Sequence, residues 1–105
     1  MKRGEVWLCT LDPTLRHEIQ KTRPCVIVSP DELNLRSHTM IVAPLTSGSS
    51  PARFRVRIRF RGKDGLILPD QIRTIDRRRI VKRLGTIDAP TLSSVLAVLT
   101  DMFAP

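Results

Sequence analysis

Residues 53–61 read RFRVRIRFR, a strict alternation of apolar and cationic side chains. Because side chains of an extended chain point to opposite faces in turn, this period of two predicts a β-strand. One face would rest on a core and carry Phe54, Val56, Ile58 and Phe60. The other would present five guanidiniums, those of Arg53, Arg55, Arg57, Arg59 and Arg61. That second face is either a surface that holds backbone phosphates without specifying bases or an ordinary solvated charged face.

Further short strands surround this segment. Lys63-Asp64-Gly65 predicts a tight hairpin turn, because Asp-Gly tolerates the positive φ angles that such turns need, with a returning strand at 66–68. Pro24 biases Arg23 toward an extended backbone just before a buried strand. Runs of apolar residues predict the remaining strands at 5–11, 25–29, 39–45, 71–75 and 80–84, the last two as a pair. Residues 14–22 and 46–51 are polar and predict surface loops.

Two helical segments are predicted. Ser29-Pro30 resembles a cap before one helical turn that ends near Leu35. Asp88 is a suitable N-cap for a terminal helix, and Pro90 is tolerated in its first turn. An apolar stripe at helical spacing follows, made of Leu92, Val95, Leu96, Leu99, Met102 and Phe103. We expect the stripe to cover the open side of a barrel or to form part of a dimer contact. The pattern predicts a mainly β fold with α, a small bent sheet or barrel that ends in a helix.

Charge is the most informative bulk property of the 105-residue chain. Eighteen Lys and Arg against ten Asp and Glu give a net charge of +8, and Arg heavily outnumbers Lys. Such a field attracts polyanions, and the planar fork of arginine suits phosphates and base edges. The composition therefore favours nucleic acid, or an acidic protein that mimics it, as the partner.

Other classes of protein are disfavoured. The apolar runs are far shorter than the roughly 18–20 residues that span a bilayer, so no membrane association is expected. The first residues, Met1 to Val6, turn polar too soon for a signal peptide, which predicts a cytoplasmic location. Cys9 and Cys25 lie in apolar strand-like runs and are expected to be buried free thiols. His17 and His38 are isolated in sequence, so neither a metal site nor another cofactor is expected.

Metal-free RNA cleavage needs a base for the 2′-OH proton, cations or donors around the phosphate, and an acid for the leaving 5′-oxygen. Three segments of the chain offer such groups: residues 16–24, residues 44–48 and residues 69–73. Each of them alone is weak evidence, since loops are normally polar.

Together and in this order, the segments are far more specific. The chain resembles the MazF/PemK/Kid family of toxin endoribonucleases along almost its whole length, most closely in the first half and at 70–76. The resemblance is carried by Gly4-Glu5-Val6-Trp7, Asp12-Pro13-Thr14, His17-Glu18, Arg23-Pro24-Cys25-Val26-Ile27-Val28-Ser29-Pro30, Val42-Ala43-Pro44-Leu45-Thr46-Ser47 and Asp70-Gln71-Ile72-Arg73-Thr74-Ile75-Asp76.

This resemblance implies a single toxin domain over residues 1–105, an SH3-like or CcdB-like barrel that works as a homodimer. The implied activity is sequence-selective, metal-independent cleavage of single-stranded mRNA, which inhibits translation and growth. The products would carry a 2′,3′-cyclic phosphate and a 5′-hydroxyl. The implied partner is an antitoxin with an acidic, partly disordered tail, and operator DNA would be contacted only in complex with it.

The resemblance also implies catalytic residues. Arg23 matches an arginine beside the scissile phosphate, and because a guanidinium scarcely deprotonates we interpret it as a charge-stabilising donor that could also serve as the acid. Thr46 matches the hydroxyl that orients the phosphate. Asp70 matches the general base of the Kid-like branch, and Glu18 is a competing base. Leu68 stands where that branch has an arginine, which leaves the acid role to Arg23 or to an unassigned arginine.

A wider set of residues is implied in RNA binding: Ser47, His17, Lys21, Gln71, Arg73, Arg53 and Arg55. Plainer interpretations remain open from the residues themselves. Arg23 could form a surface salt bridge with Glu18 or Asp70, Thr46 could be a turn hydroxyl, and His17 could be a solvated loop residue.

Two other functions remain open at this point. One is a CcdB-like toxin of the same fold that poisons DNA gyrase, although such a protein needs no phosphate site of the Arg-Pro and Thr-Ser kind. The other is a non-catalytic nucleic-acid-binding regulator.

Overall fold

A computed structural model describes residues 1–11 and 21–105. Within these residues a curled antiparallel sheet carries two α-helices, and single 3₁₀ turns lie at Pro69–Gln71 and Arg77–Arg79. The strands are β1 (Glu5–Thr10), β2 (Thr22–Ile27), β3 (Thr39–Thr46), β4 (Val56–Phe60), β5 (Lys63–Ile67), β6 (Arg73–Asp76) and β7 (Ile80–Thr86). The helices are α1 (Asp31–Arg36) and α2 (Ala89–Phe103).

The sheet has the strand order β4-β5-β3-β2-β1-β7, and β6 pairs with β3 off this path. Along one edge, β3 pairs first with β6, over residues 39–42, and then with β5 at Leu45 and Thr46. This change of partner curls the sheet into a half-barrel. The aromatic ring of Phe60 on β4 lies against Gly85 on β7, so the two ends of the strand path meet. The predicted mainly β fold with a terminal helix is confirmed.

The central strands β2 and β3 are buried on both faces. Their side chains alternate between two core clusters, which explains why Cys25-Val26-Ile27-Val28 is apolar without a break. The first cluster contains Val6, Val26, Val28, Ala43, Leu45, Ile67, Ile87 and Val95. The second contains Cys9, Leu11, Cys25, Ile27, Met40, Val42 and Ile75.

Helix α2 covers the first cluster. The Asp88 carboxylate accepts a hydrogen bond from the Thr91 amide at 2.8 Å, so the predicted N-cap is confirmed. Val95 is fully buried, and Leu92 and Leu99 pack beside it. Phe103 departs from the predicted stripe, since 71% of its surface is exposed. No helix of the described ranges is both long and apolar enough to cross a bilayer.

The hairpin between β4 and β5 corrects the predicted turn. The two turn residues are Arg61 and Gly62, with φ angles of 52° and 77°, as a type I′ turn requires. Asp64 and Gly65 lie within β5 instead. A Cβ on Gly65 would lie 2.8 Å from the Thr46 carbonyl oxygen, so glycine is needed there for close strand packing and not for a turn.

The five-arginine face is also only partly formed. The alternation holds over β4, where Arg57 and Arg59 are exposed and Val56, Ile58 and Phe60 are half-buried. Arg53 and Arg55 precede the strand, and Arg61 belongs to the turn. A chain bend closed by the Arg55 amide and the Ala52 carbonyl interrupts the extended backbone.

Smaller differences between prediction and structure concern the ends of elements and the pairing of strands. Strand β2 begins at Thr22, and β6 and β7 pair with β3 and β1 instead of with each other. The N-cap of α1 is Pro30, without a side-chain cap. The Ser29 hydroxyl instead donates to the buried Asn34 amide oxygen.

The two cysteines are free and buried, as predicted. A hydrogen bond with Cys9 and burial raise the pKa of the Cys25 thiol far above its usual range. Since the thiolate is the reactive form, Cys25 is a structural thiol.

Candidate active site

The register between β2 and β3 brings Arg23 to Thr46. Cys25 lies opposite Pro44 and Val26 opposite Ala43. Continuing this antiparallel register by two positions places Arg23 opposite Thr46. Two side chains 23 positions apart in the sequence therefore reach the same region through strand pairing.

A pocket of about 350 Å³ lies at this point of the sheet. Residues from β2, β3, β4, β5 and β7, from the loop after β3 and from the β4–β5 turn line it: Arg23, Pro24, Leu45, Thr46, Ser47, Ile58, Phe60, Arg61, Lys63, Asp64, Gly65, Leu66 and Leu84. We call it the Arg23 pocket. Three cations against one carboxylate line it among the described residues, so it suits a phosphate group.

Local hydrogen bonding orients the Thr46 hydroxyl. Its oxygen accepts a bond from the Gly48 amide at 3.2 Å. A hydroxyl has one proton of its own to donate, and no acceptor for it occurs within residues 1–11 and 21–105, so a phosphate oxygen could accept it. Ser47 is exposed beside it on the same pocket. The structure thus brings together Arg23, Thr46 and Ser47, three of the candidate site residues that the resemblance implied.

Asp70 lies in a different arrangement. It belongs to the 3₁₀ turn after β5 and does not line the Arg23 pocket in the described part of the chain. Its two carboxylate oxygens accept bonds from Arg55, Nε to Oδ1 at 3.3 Å and Nη2 to Oδ2 at 3.1 Å. This bidentate pair fixes the direction of the carboxylate. Leu68, at the position of the arginine in the Kid-like branch, is fully buried.

One loop joins the two arrangements. Ser47 lies on the Arg23 pocket, whereas Arg55 Nη1 donates to the Ser50 carbonyl at 3.1 Å. The segment from Ser47 to Ser50 therefore runs from the pocket to the Arg55–Asp70 pair.

The other predicted RNA-binding residues are distributed more widely. Arg53 pairs with Asp101 at 2.8 Å on the surface of α2. Arg73 donates to the Leu11 carbonyl at 2.9 Å, and the Lys21 carbonyl accepts from the Leu11 amide. Gln71 ends the 3₁₀ turn of Asp70. His17 and Glu18 lie outside the described residues.

Among the lining residues that sequence reasoning did not assign to a site are Phe60, Lys63 and Asp64, whereas Arg61 was placed on the possible phosphate-holding face. The misplaced hairpin turn is one reason, since it put Asp64 at a chain reversal. The alternation of β4 is the other, because it assigned Phe60 wholly to the core. A glycine in the facing strand, Gly85, was the available sign that a ring needed space there.

No group of three or more His, Cys, Asp or Glu side chains suitable for a metal ion occurs within residues 1–11 and 21–105.

Arg77–Arg79 form a second basic cluster, which does not line the Arg23 pocket, and two of its guanidiniums bind the main chain. Arg77 donates to the carbonyls of Asn34 and Ser37 at the end of α1, and Arg79 donates to the Thr10 carbonyl. Arg78 pairs with Asp76 at 3.0 Å. These contacts stabilise the fold, and they leave less positive charge available to a partner than the sequence alone suggests.

The Asp76 carboxyl gives a prediction about pH. The Arg78 side chain and amide hold its pKa at about 2, below the usual 3.8. Because the folded-state value is lowered, its contribution to stability is complete above pH 3.8 and is lost as the pH falls through about 2. We expect NMR titration of the Asp76 carboxyl to give a midpoint near 2 and Arg78→Ala to move it toward 3.8. An unchanged midpoint in this variant would contradict the assigned cause.

The half-barrel brings an arginine and a hydroxyl of its central strands to a cationic pocket, an arrangement that suits proteins acting on polyanions such as nucleic acids. Comparison with known proteins agrees with this class. The family model of the PemK-like, MazF-like toxins of type II toxin–antitoxin systems matches residues 2–103.

Individual relatives support the match. The chain is 42% identical to endoribonuclease PemK of Escherichia coli over 108 aligned positions, covering 97% of this chain and 81% of that protein. The crystal structure of MazF from Deinococcus radiodurans superposes with a TM-score of 0.86 at 27% identity, covering 97% of this chain and 94% of that one. A mycobacterial endoribonuclease, solved in complex with its cognate antitoxin, has the same fold, with a TM-score of 0.83 at 20% identity over 100% of this chain and 97% of that one.

The chain belongs to the family of PemK-like, MazF-like toxins. It is an endoribonuclease. This favours the nuclease over the gyrase inhibitor and the non-catalytic regulator.

Proposed function

We propose that this toxin cleaves single-stranded mRNA sequence-selectively and without a metal ion, by attack of the 2′-OH on the adjacent phosphorus. The observation that carries the proposal is the convergence of Arg23 and Thr46 on one cationic pocket. An endoribonuclease must stabilise the negative charge that develops on the phosphate oxygens, and preorganised donors supply a large part of catalysis.

The reaction assigns a task to each group. A base removes the 2′-OH proton, the 2′-oxygen bonds to phosphorus, and the bond to the 5′-oxygen breaks. The Arg23 guanidinium and the Thr46 hydroxyl would bind the non-bridging oxygens as their charge increases. The 5′-oxygen leaves with a proton, from Arg23 or from a second group. The products are a 2′,3′-cyclic phosphate and a 5′-hydroxyl.

Incubation of the purified protein with a long single-stranded RNA in excess EDTA tests this proposal. Discrete fragments that end in 2′,3′-cyclic phosphate are the expected result. Cleavage that stops in EDTA and returns with a divalent cation would overturn the metal-independent mechanism. Sequencing of the 5′ ends gives the cleavage motif.

Asp70 and Glu18 are the two candidates for the base, and Asp70 gives a direct prediction. Arg55 fixes its carboxylate next to the loop that leads to the Arg23 pocket. We expect Asp70→Asn to lower kcat by about 10²–10⁴-fold, the usual contribution of a general base. The acidic limb of the pH–rate profile should disappear with it.

Two further variants locate the base. Arg55→Lys keeps the charge near Asp70 but loses the planar fork, so a partial loss is expected. If Asp70→Asn stays within tenfold of the wild type and keeps the acidic limb, the role passes to Glu18, and Glu18→Gln should then remove that limb.

The remaining parts of the proposal concern assembly and setting. We propose a homodimer that acts in the cytoplasm, where it arrests translation and growth until an antitoxin binds. An acidic antitoxin tail would occupy the same cationic surface as RNA, since both carry negative charge. Any contact with operator DNA would need the antitoxin.

A further inference from the structure

A row of paired residues crosses the sheet from β3 to β4. Thr46 pairs with Leu66 on β5, and Leu66 pairs with Arg57 on β4. Because residues directly opposite each other on paired strands share a face of the sheet, Thr46 and Arg57 lie on the same face. Neighbouring strands are about 4.8 Å apart, so about 10 Å separates the main chains of these two residues. Arg57 therefore belongs to the face that carries one of the proposed phosphate ligands.

A groove of about 590 Å³ lies on this part of the hairpin and the loop after β3. We call it the Arg57 groove, and its polar lining consists of Ser47, Ser49, Arg57, Arg59 and Asp64. Five residues line both this groove and the Arg23 pocket: Ser47, Ile58, Asp64, Gly65 and Leu66. Because the two sites share these walls, one extended ligand can occupy both.

Arg57 differs from the neighbouring arginines in its partners. Three others form ion pairs, Arg53 with Asp101, Arg55 with Asp70 and Arg59 with Asp64. Arg57 is exposed and forms no hydrogen bond or ion pair with residues 1–11 or 21–105. The N–H donors of its guanidinium are thus available to a ligand, and their planar fork suits a phosphate.

The other polar groups of the Arg57 groove also suit a phosphate. The hydroxyls of Ser47 and Ser49 are further donors, and Arg59 is a second cation. Arg59 is held by Asp64 at 3.0 Å, but 68% and 82% of these two side chains are exposed, so the pair is weak and easily exchanged. None of the described lining residues is aromatic, so the groove offers no ring on which a base would stack.

We propose that the Arg57 groove binds the RNA backbone at the phosphate next to the scissile one. Arg57 is its principal donor, and Arg59 becomes a second donor when the phosphate replaces Asp64. The inference rests on the proposed function and deepens it, since it adds a second phosphate site to the one at Arg23 and Thr46. Phosphate contacts position a nucleic acid and carry no sequence information. The groove therefore raises the affinity for RNA without contributing to the cleavage motif.

Binding of an uncleavable RNA measures this contact directly. A short 2′-O-methyl RNA with the motif found by 5′-end sequencing lacks the attacking hydroxyl, so its Kd reports binding without chemistry. One phosphate contact to a single strand contributes about 0.7 to the slope of log Kd against log salt, which is about fivefold in Kd at about 0.1 M salt. We expect Arg57→Ala to lose this slope and this factor. The control is Arg36→Ala, which removes the same charge from the exposed end of α1 and should change both far less.

Asp64→Asn is expected to change the affinity in the opposite direction. Loss of the carboxylate removes a charge that repels the phosphate and releases Arg59, so RNA should bind about threefold more tightly. Glu32→Gln removes one carboxylate from the exposed first turn of α1 and is the control. Unchanged or weaker binding by Asp64→Asn would overturn the proposed exchange on Arg59. Thermal unfolding of all four variants checks that the fold is kept.

A neutral linkage locates the bound phosphate. Methylphosphonate replaces one charged oxygen by a methyl group, and it is introduced at one linkage of the RNA at a time. Next to the scissile linkage it should weaken binding to the wild type about fivefold. In Arg57→Ala the same change should have little further effect, because the partner of the charge is already absent. Equal losses in the two proteins at every linkage would overturn the subsite.

Cleavage kinetics distinguish failure of this inference from failure of the proposed function. For cleavable RNA we expect Arg57→Ala to raise KM about fivefold and to keep kcat within about twofold, with an unchanged motif. A fall in kcat of about tenfold or more would place Arg57 in the chemical step and overturn the subsite. Unchanged RNA binding by this variant, with weaker binding of a polyglutamate peptide, would assign the groove to an acidic protein and also overturn it. A wild type that shows the salt slope and the methylphosphonate effect but cuts no RNA overturns the nuclease mechanism and leaves the subsite.

Discussion

Arg23→Ala is expected to lower the rate of RNA cleavage by about 10²–10³-fold, the loss found when one preorganised donor to a developing oxyanion is removed. Arg23 is half-buried on β2, and the β2–β3 register directs it toward Thr46. The variant should fold normally and keep most of its antitoxin binding, since one of several cations of that surface is lost. Single-turnover cleavage of a defined RNA, with circular dichroism as the check on folding, measures the effect.

The expected loss of rate depends on the geometry of the guanidinium as well as on its charge, and two variants separate these effects. Arg23→Lys keeps one positive charge but loses the fork that can bind two phosphate oxygens at once, so only part of the rate should return. Arg36→Ala removes one charge from the exposed end of α1, outside the pocket, and should have little effect. Cleavage by Arg23→Ala within tenfold of the wild type would rule out the proposed role of the guanidinium while leaving the family assignment intact.

The elements that could be predicted from the sequence are those in which local pattern and tertiary environment agree. The unbroken apolar run at 25–28 predicted a strand because both faces of β2 meet a core cluster. Asp88 predicted the start of α2 because its side chain caps the helix in the structure as well. In both cases a single local signal has one structural explanation.

Prediction failed where one local signal has two explanations. Asp-Gly is typical of a tight turn, yet Gly65 serves the close approach of β5 to Thr46, and the turn lies three residues earlier. Alternation predicted the faces of β4 but carries no information on where the strand starts. The Arg55 amide closes a bend with the Ala52 carbonyl, and the Arg55 side chain binds the Ser50 carbonyl and the Asp70 carboxylate. No local sequence pattern indicates these contacts.

The candidate site also has a part that could be predicted from the sequence and a part that could not. The family resemblance implied that Arg23 and Thr46 act at one site, and they line one pocket just beyond the last β2–β3 pair, Cys25 with Pro44. The pocket walls from β4, β5 and β7 could not be predicted, because they depend on how far the sheet curls. The Phe60–Gly85 contact that joins the two ends of the strand path is a tertiary property without a local pattern.

Gly65→Ala is expected to destabilise the protein and to impair cleavage together. The added Cβ would lie 2.8 Å from the Thr46 carbonyl oxygen and 3.4 Å from its carbonyl carbon, so β5 must move away from β3. Overpacking of this kind costs about 1–3 kcal/mol. In a domain of this size that corresponds to a fall in Tm on the order of 5–20 °C. Differential scanning calorimetry measures it.

The effect on cleavage follows from the residue that is displaced. Thr46 pairs with Leu66 on β5, and its hydroxyl is proposed to hold the phosphate, so a shift of this backbone moves a reacting group. A misplacement of about 1 Å can cost about 10²-fold in rate, and we expect a loss of that order at a temperature where the variant is folded. Gly48→Ala is the control for stability, since its added Cβ would meet nothing closer than 3.9 Å. If Gly65→Ala retained the wild-type Tm and rate, the close approach of β5 to β3 would not be what fixes Thr46 at the pocket.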